Sequence, residues 1–161
     1  MRRDEPGDGP PAVELVQLAT FQLASTEYAL DIMRIKEIIQ PLRITSVPKA
    51  PMFIEGVIEL RGAILPVVDL RKRFELPAPP PVRATKYIIV TVDERAVGLV
   101  VDAVGEVLRV PRGELAAPPF PRGEAARTFS GVVRRSGRII LVLDIERILS
   151  SEERISLAGV V

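Results

Sequence analysis

Short apolar runs with partial alternation dominate the start of the chain and predict β-strands. Val16 to Ala24 alternates in part between apolar and polar residues, Ser25-Thr26-Glu27 interrupts the run, and Tyr28 to Ile32 resumes it. Small polar residues between two such runs are typical of a hairpin. We therefore expect two paired strands here.

A second hairpin is predicted between Val57 and Asp69. Its apolar residues flank Arg61-Gly62, where glycine can adopt a positive φ at no steric cost and so favours a tight turn. Pro66 has no N–H to donate to a ladder, which indicates an edge position or a bulge. Asp69 ends the run, and we expect it to cap a short turn from Leu70 to Phe74.

Two segments have helical rather than strand spacing. Isoleucines at 32, 35, 38 and 39 predict a short helical turn before Pro41. Met52 to Gly56 predicts one further helical turn that ends at its glycine.

The pattern restarts after the stiff connector Pro77 to Pro81. A shift of 69 positions places Leu23 on Val92, Ala29 on Gly98, Ile35 on Val104 and Glu37 on Glu106. A shift of 75 positions places Gly56 on Gly131, Gly62 on Gly137 and Asp69 on Asp144. Both glycines, the glutamate and the aspartate match in order, which indicates an internal duplication with a longer loop in the second copy.

These features predict one domain over 13–149, with a first repeat at about 15–76 and a second at about 86–149. A polar, Pro/Gly-rich tail over 1–12 is expected to be disordered, and 150–161 is expected to be a C-terminal tail. A set of short strands of roughly 60 residues is only marginally stable alone. Two small barrels packed against each other would share a core and cover one another's open edges.

Composition narrows the possible functions. The net charge is +1 and aromatic residues make up 4% of the chain, so a nucleic-acid partner is not expected. No apolar run approaches the roughly 20 residues that span a bilayer, so we expect a cytoplasmic protein with no direct membrane insertion. The chain has no Cys and no His, which excludes disulfides, Cys/His zinc sites and Ser-His-Asp catalysis.

Several motifs, in order, resemble the CheW family of chemotaxis coupling proteins. The most specific is Gly56-Val-Ile-Glu-Leu-Arg-Gly-Ala-Ile-Leu-Pro-Val-Val-Asp-Leu-Arg71. Ile35-Lys-Glu-Ile38 and Pro51 to Gly56 precede it, and Val97 to Leu108 and Ile139 to Ile148 follow it. The resemblance covers about Leu15 to Leu149, nearly the whole chain.

The resemblance implies an all-β fold of two small five-stranded SH3-like β-barrels around a shared hydrophobic core, with short helical turns. It also implies a non-enzymatic adaptor without cofactors. Such an adaptor would couple the cytoplasmic tip of methyl-accepting chemoreceptors to the regulatory domain of a CheA-type histidine kinase. The expected location is therefore the cytoplasmic side of membrane-associated receptor arrays.

The resemblance also implies which residues make these contacts. Receptor contact would use the groove between the barrels, with candidates Ile32, Ile35, Glu37, Arg61, Val104 and Val107. Kinase contact would use the first barrel near Ile39, Leu42 and Ile44, with a second contact at Phe120 in a proline-rich loop.

Two features have an alternative interpretation. Asp69 and Asp144 occupy equivalent places in the two copies, which could indicate a duplicated β-barrel hydrolase whose two carboxylates share a proton. Aspartic proteases follow each aspartate with Thr or Ser and then Gly, which is not the case here, so two structural caps are the favoured interpretation. The basic run Arg71-Lys72-Arg73 is either a solvated turn or a rim that meets an acidic partner.

Overall fold

The computed structural model describes residues 13–119, 123 and 127–148. The described part of the chain contains ten strands joined by turns, several of which are helical. The strands are β1 (Leu15–Leu23), β2 (Thr26–Asp31), β3 (Ile35–Ile39), β4 (Ile54–Leu60), β5 (Ala63–Asp69), β6 (Lys86–Val92), β7 (Arg95–Val101), β8 (Ala103–Pro111), β9 (Phe129–Arg135) and β10 (Arg138–Leu143). Among the helical turns are the α-helical turn α1 (Leu70–Arg73) and the 3₁₀ turns Ile32–Arg34, Arg112–Glu114 and Ile145–Arg147.

The strands form two five-stranded sheets, and each sheet takes strands from both sequence copies. Sheet I has the order β8-β1-β2-β10-β9, and sheet II has the order β3-β6-β7-β5-β4. Each copy contributes five strands, β1–β5 from the first and β6–β10 from the second. When strands are numbered one to five within their copy, both sheets have the spatial order 3-1-2-5-4. The first two strands of each copy therefore pair with the last three strands of the other copy.

The strand pairing follows the duplication residue by residue. Ala29 lies opposite Val142 where β2 and β10 run parallel, and Gly98 lies opposite Val67 where β7 and β5 run parallel. These pairs are related by the same shifts of 69 and 75 positions that align the sequence copies. The two sheets are thus equivalent in order, direction and register.

The largest core cluster is formed by residues of both sheets. Phe21 of sheet I and Ile88 of sheet II are both almost fully buried in it. Four aromatic rings pack in it with centroids 5.8 to 6.3 Å apart, those of Phe21, Tyr28, Phe74 and Phe129. A smaller apolar cluster accompanies each sheet. The predicted all-β fold of two five-stranded units around a shared hydrophobic core is confirmed.

Both predicted helical turns are wrong in part. The first is a 3₁₀ turn only over Ile32–Arg34, and Ile35–Ile39 forms β3, which pairs with β6. The second is shorter than predicted, because Ile54–Leu60 is β4. Only a turn at Met52 and Phe53 remains, in which the Ile54 amide donates to the Pro51 carbonyl at 3.0 Å. Gly56 does not end a helix, and its φ of +145° allows the Thr45 carbonyl to approach its backbone. These β-branched segments gain strand partners that a local period does not reveal.

The predicted hairpin turn at Arg61-Gly62 is confirmed, with φ of 51° and 83° at the two residues. Pro66 faces β4 on one side, while the pairing of β5 with β7 begins only at Val67. Pro66 is therefore locally at an edge, as its missing N–H requires. The predicted tails 1–12 and 150–161 lie outside the described residues. In the part of the chain that is described, no helix has the length and apolar character needed to cross a bilayer.

Candidate interaction sites

Arg61 and Glu37, both candidate receptor contacts, form a two-pronged ion pair. Arg61 Nη2 donates to Glu37 Oε1 at 2.9 Å, and Arg61 Nη1 pairs with Oε2 of the same carboxylate. Glu37 lies on β3 at one edge of sheet II, whereas Arg61 lies in the β4–β5 turn at the opposite edge. The pair therefore joins the two edges of the sheet. The Arg61 side chain is still 70% exposed, so a partner can reach it.

The ion pair changes the protonation equilibria of both groups. The hydrogen bond from Arg61 holds the pKa of the Glu37 carboxyl below its ordinary value, and the hydrogen bond to Glu37 raises the pKa of Arg61. A depressed carboxyl pKa favours the folded state above the pKa of the unfolded chain, and this contribution is lost as the pH falls through the folded pKa. The raised guanidinium pKa acts only at strongly alkaline pH. The pair is therefore fully charged at neutral pH.

The other receptor candidates fall into two groups. Ile32 and Ile35 are half-buried around the chain segment that leaves sheet I for sheet II, and Ile35 packs on the shared core. Val104 and Val107 lie on β8 in sheet I and are exposed, at 36% and 49%. The structure thus joins Glu37 to Arg61 directly and puts the two valines on the other sheet.

Sheet I has an ion pair that corresponds to the one in sheet II. Glu106, the counterpart of Glu37, accepts from Arg138 Nη2 at 3.2 Å. Arg138 Nη1 also donates to Glu27 on β2 at 3.1 Å. These three side chains line a cleft of about 300 Å³ together with Phe21 and Val104. Sequence comparison of the copies pointed to Glu106 but not to Arg138.

The kinase candidates extend from β3 towards β4 in sheet II: Ile39 lies on β3, and Ile44 precedes Thr45, whose backbone pairs with Val57 on β4. Ile39 and Ile44 are half-buried and pack on the smaller apolar cluster of that sheet. Leu42 is 38% exposed, and its carbonyl accepts from the Tyr87 hydroxyl at 3.5 Å. Phe120 lies outside the described residues.

Asp69 and Asp144 both cap the turn that follows the fifth strand of their copy, as predicted. Asp69 accepts from the Arg71 amide at 2.9 Å, and Asp144 accepts from the Glu146 amide at 3.1 Å. They belong to different sheets, and the Asp69 carboxylate is buried against the Arg71 guanidinium. These contacts account for both aspartates as caps and give the hydrolase alternative no support.

Arg71 is neither part of a solvated turn nor part of an exposed rim, the two interpretations of the basic run, because its side chain is only 5% exposed. Its Nε and Nη2 donate to Asp69 at 3.0 Å each, and its Nη1 donates to Asp102 at 2.9 Å. Asp102 also accepts from the Ala24 amide at 2.7 Å. The hydrogen bonds to Asp69 raise the pKa of Arg71. The feature of the sequence that could have indicated this buried network is Asp102, an acidic residue directly after the apolar run 96–101.

The neighbouring Lys72 is an exposed surface residue. Its ammonium donates to Glu55 on β4 at 2.6 Å. The basic run thus combines a buried arginine, a surface lysine and the half-buried Arg73, and of the first two Lys72 fits the prediction of a solvated turn.

Comparison with known proteins agrees with this architecture. The sequence model of the family described as "CheW-like domain" matches residues 17–153 of this chain. The chain belongs to the CheW-like family. This membership confirms the resemblance recognised in the sequence, and the matched segment contains both sheets.

Individual relatives cover most of the chain. It is 34% identical over 151 residues to the chemotaxis protein CheW of Treponema pallidum (strain Nichols), covering 91% of this chain and 89% of the relative. It is 36% identical over 134 residues to the CheW of Klebsiella aerogenes, covering 83% and 81%. The crystal structure of the scaffolding protein TtCheW from Thermoanaerobacter tengcongensis superposes with a TM-score of 0.80 and 31% identity, covering 87% of this chain and 96% of that one.

Proposed function

We propose that the protein is a chemotaxis adaptor that couples chemoreceptors to a CheA-type histidine kinase and catalyses no reaction itself. Membership of the CheW-like family carries this proposal, because it extends over both sheets and because a relative of the same fold is described as a scaffolding protein. Coupling requires two binding surfaces on one rigid body. The scaffold would bind the receptor tip and the kinase regulatory domain at the cytoplasmic side of a receptor array.

The receptor surface in this proposal contains the Arg61–Glu37 pair. An arginine offers five donors in a planar fork and is enriched in protein interfaces. Glu37 holds the Arg61 guanidinium in one orientation, which lowers the entropic cost of binding a receptor carboxylate or carbonyl. Ile32, Ile35, Val104 and Val107 would supply the apolar part of the same surface.

The kinase surface in this proposal follows sheet II from β3 towards β4, at Ile39, Leu42 and Ile44, with Phe120 as a second contact. Leu42 supplies an exposed aliphatic side chain, while the neighbouring isoleucines are anchored in the apolar cluster. Anchored apolar residues with an exposed neighbour suit a small hot spot. Ile39 lies two residues from Glu37 on β3, so the kinase would bind beside the receptor surface without using Arg61 itself.

An Arg61→Ala variant tests the proposal. We expect its thermal melt to stay within about 2 °C of wild type, since the side chain is exposed and surface substitutions change stability little. Its affinity for the receptor should fall by roughly 10- to 150-fold, the range of one lost charge-assisted hydrogen bond. Pull-down with the kinase should be unchanged, and receptor-stimulated kinase activity should be greatly reduced.

Two further variants separate the role of the guanidinium from that of positive charge. Arg61→Lys should restore little stimulation, because an ammonium cannot form the planar fork. Arg95→Ala is the matched control, because Arg95 is an exposed arginine beside another hairpin turn of sheet II and should behave as wild type. Normal receptor stimulation in a folded Arg61→Ala protein would contradict the proposed receptor surface.

A further inference from the structure

The chain passes between the two sheets at two places, and an ion pair holds each crossing. The β2–β3 crossing contains Arg34, whose guanidinium pairs with Glu146 on the 3₁₀ turn after β10. The β7–β8 crossing contains Asp102, which pairs with Arg71 on α1 after β5. Glu146 occupies the place of Arg71 under the shift of 75 positions. Arg34 falls on Ala103 under the shift of 69, one position from Asp102, so the two crossings are similar joints in which the charges are reversed.

The two joints differ in burial. Arg71 is 5% exposed and its partners Asp69 and Asp102 are 1% and 26% exposed, whereas Arg34 and Glu146 are both 37% exposed. The buried joint also has three guanidinium hydrogen bonds, and it is extended to sheet I through the Ala24 amide. Breaking it would leave charges without partners in a buried place, which is costly.

The exposed joint is far easier to open. Separated partners at this joint are rehydrated, so the net free energy of such a pair is small. Its strength also depends on salt, because the screening length falls from about 30 Å at 0.01 M to about 3 Å at 1 M. Water and salt thus reach both partners of one joint, whereas at the other they reach Asp102 but hardly reach Arg71 and Asp69.

We propose that the Arg34–Glu146 pair is a releasable joint between the sheets, and that the buried Asp69–Arg71–Asp102 network is the fixed joint about which the sheets pivot. Opening the first joint frees the β2–β3 crossing, while the second joint and the shared apolar core keep the sheets attached. Arg34 lies between Ile32 and Ile35, so a receptor bound at these residues would act directly on the releasable joint. Only this last step rests on the proposed function.

The chain has no cysteine, so paired spin labels can report the distance between the sheets. Arg95→Cys labels sheet II and Arg134→Cys labels sheet I, both at exposed positions. In the labelled protein with no further change, we expect a narrow distance distribution at 0.01 M salt that roughly doubles in width or shifts at 1 M. This salt series requires no change at the joint itself.

Variants of the joint complete the experiment. Glu146→Gln should give the broad distribution at both salt concentrations, and the exchange Arg34→Glu with Glu146→Arg should restore the narrow one at low salt. Arg112→Gln is the matched control, because it removes an exposed pair with Glu14 within sheet I and should change nothing. A distribution that stays narrow in the salt series, or in a folded Glu146→Gln protein, would overturn the proposal. Neither receptor nor kinase is needed, so its failure would leave the proposed function untouched.

Discussion

At the scale of single residues, the same local signal leads to two different environments. An aspartate at a strand end caps the following turn in both copies. Asp69, however, also pairs with a buried arginine, whereas Asp144 is half-exposed and meets Arg147 only at 3.7 Å. The cap was predictable because it depends on a residue two positions away. The burial was not, because it depends on Asp102, which is 31 positions from Arg71.

Replacing each aspartate with asparagine separates the charge from the cap. Asparagine caps a helix about as well as aspartate, so the cap itself is preserved. Asp69→Asn removes one partner of a buried pair while Asp102 remains, and we expect it to lower the free energy of unfolding by about 2–4 kcal/mol. Asp144→Asn, the matched control, should change it by less than about 0.5 kcal/mol. Urea unfolding followed by circular dichroism measures both.

A similar small loss in both variants would show that the Arg71 network contributes little beyond the cap. A hydrolytic activity that disappeared with either substitution would instead revive the hydrolase interpretation. A large loss in Asp69→Asn alone is the outcome that the buried network requires.

At the scale of elements, the sequence predicted the two hairpins of the first copy correctly but assigned the short strand β3 to a helical turn. The hairpins β1–β2 and β4–β5 follow from alternation and turn residues. β3 was predicted as a helix because its isoleucines also fit a period of three to four. In the structure they alternate between half-buried and exposed positions, and β6 supplies the partner. A five-residue segment is too short for its period to decide between the two.

Gly56 gives an element-scale prediction, because its duplicate Gly131 is a natural control. A β-carbon at Gly56 would lie 2.2 Å from the Thr45 carbonyl oxygen, and its φ of +145° disfavours other residues. At Gly131 the nearest atom would be the Ala116 carbonyl oxygen at 3.2 Å. We expect Gly56→Ala to cost about 3 kcal/mol or more and Gly131→Ala about 1 kcal/mol. Thermal melts of the two variants would measure the difference, and equal losses would contradict the close approach at Thr45.

At the scale of the whole molecule, the sequence reveals the duplication but not how its copies are joined. Two copies with the same strand pattern could each form a sheet alone or could exchange strands. Their apolar positions would be the same in both arrangements, because equivalent strands have equivalent burial. Four pairings between the copies distinguish them: β1 with β8, β2 with β10, β3 with β6, and β5 with β7. The exchange also explains why the largest apolar cluster contains residues of both sheets.

The exchange predicts that neither half of the chain folds alone. A fragment that ends at Pro80 keeps only β1 and β2 of sheet I, and it lacks β6 and β7, which lie between β3 and β5 in sheet II. A fragment that starts at Val82 has the complementary defect. Each fragment is also near the lower size limit for a stable domain and would expose the shared core. We therefore expect each fragment alone to be insoluble or molten, without a cooperative thermal melt.

Mixing the two fragments is the sharper half of the experiment. Because every sheet needs strands from both, the fragments should complement each other and recover a cooperative melt and the near-ultraviolet signal of the packed aromatic cluster. The melting temperature should lie below that of the intact chain and rise with fragment concentration, because association is now bimolecular. The intact chain is the control, and its melting temperature should not depend on concentration. A sharp two-state melt from either fragment alone would show that one copy can pair its own strands, which would contradict the exchange as a requirement for folding.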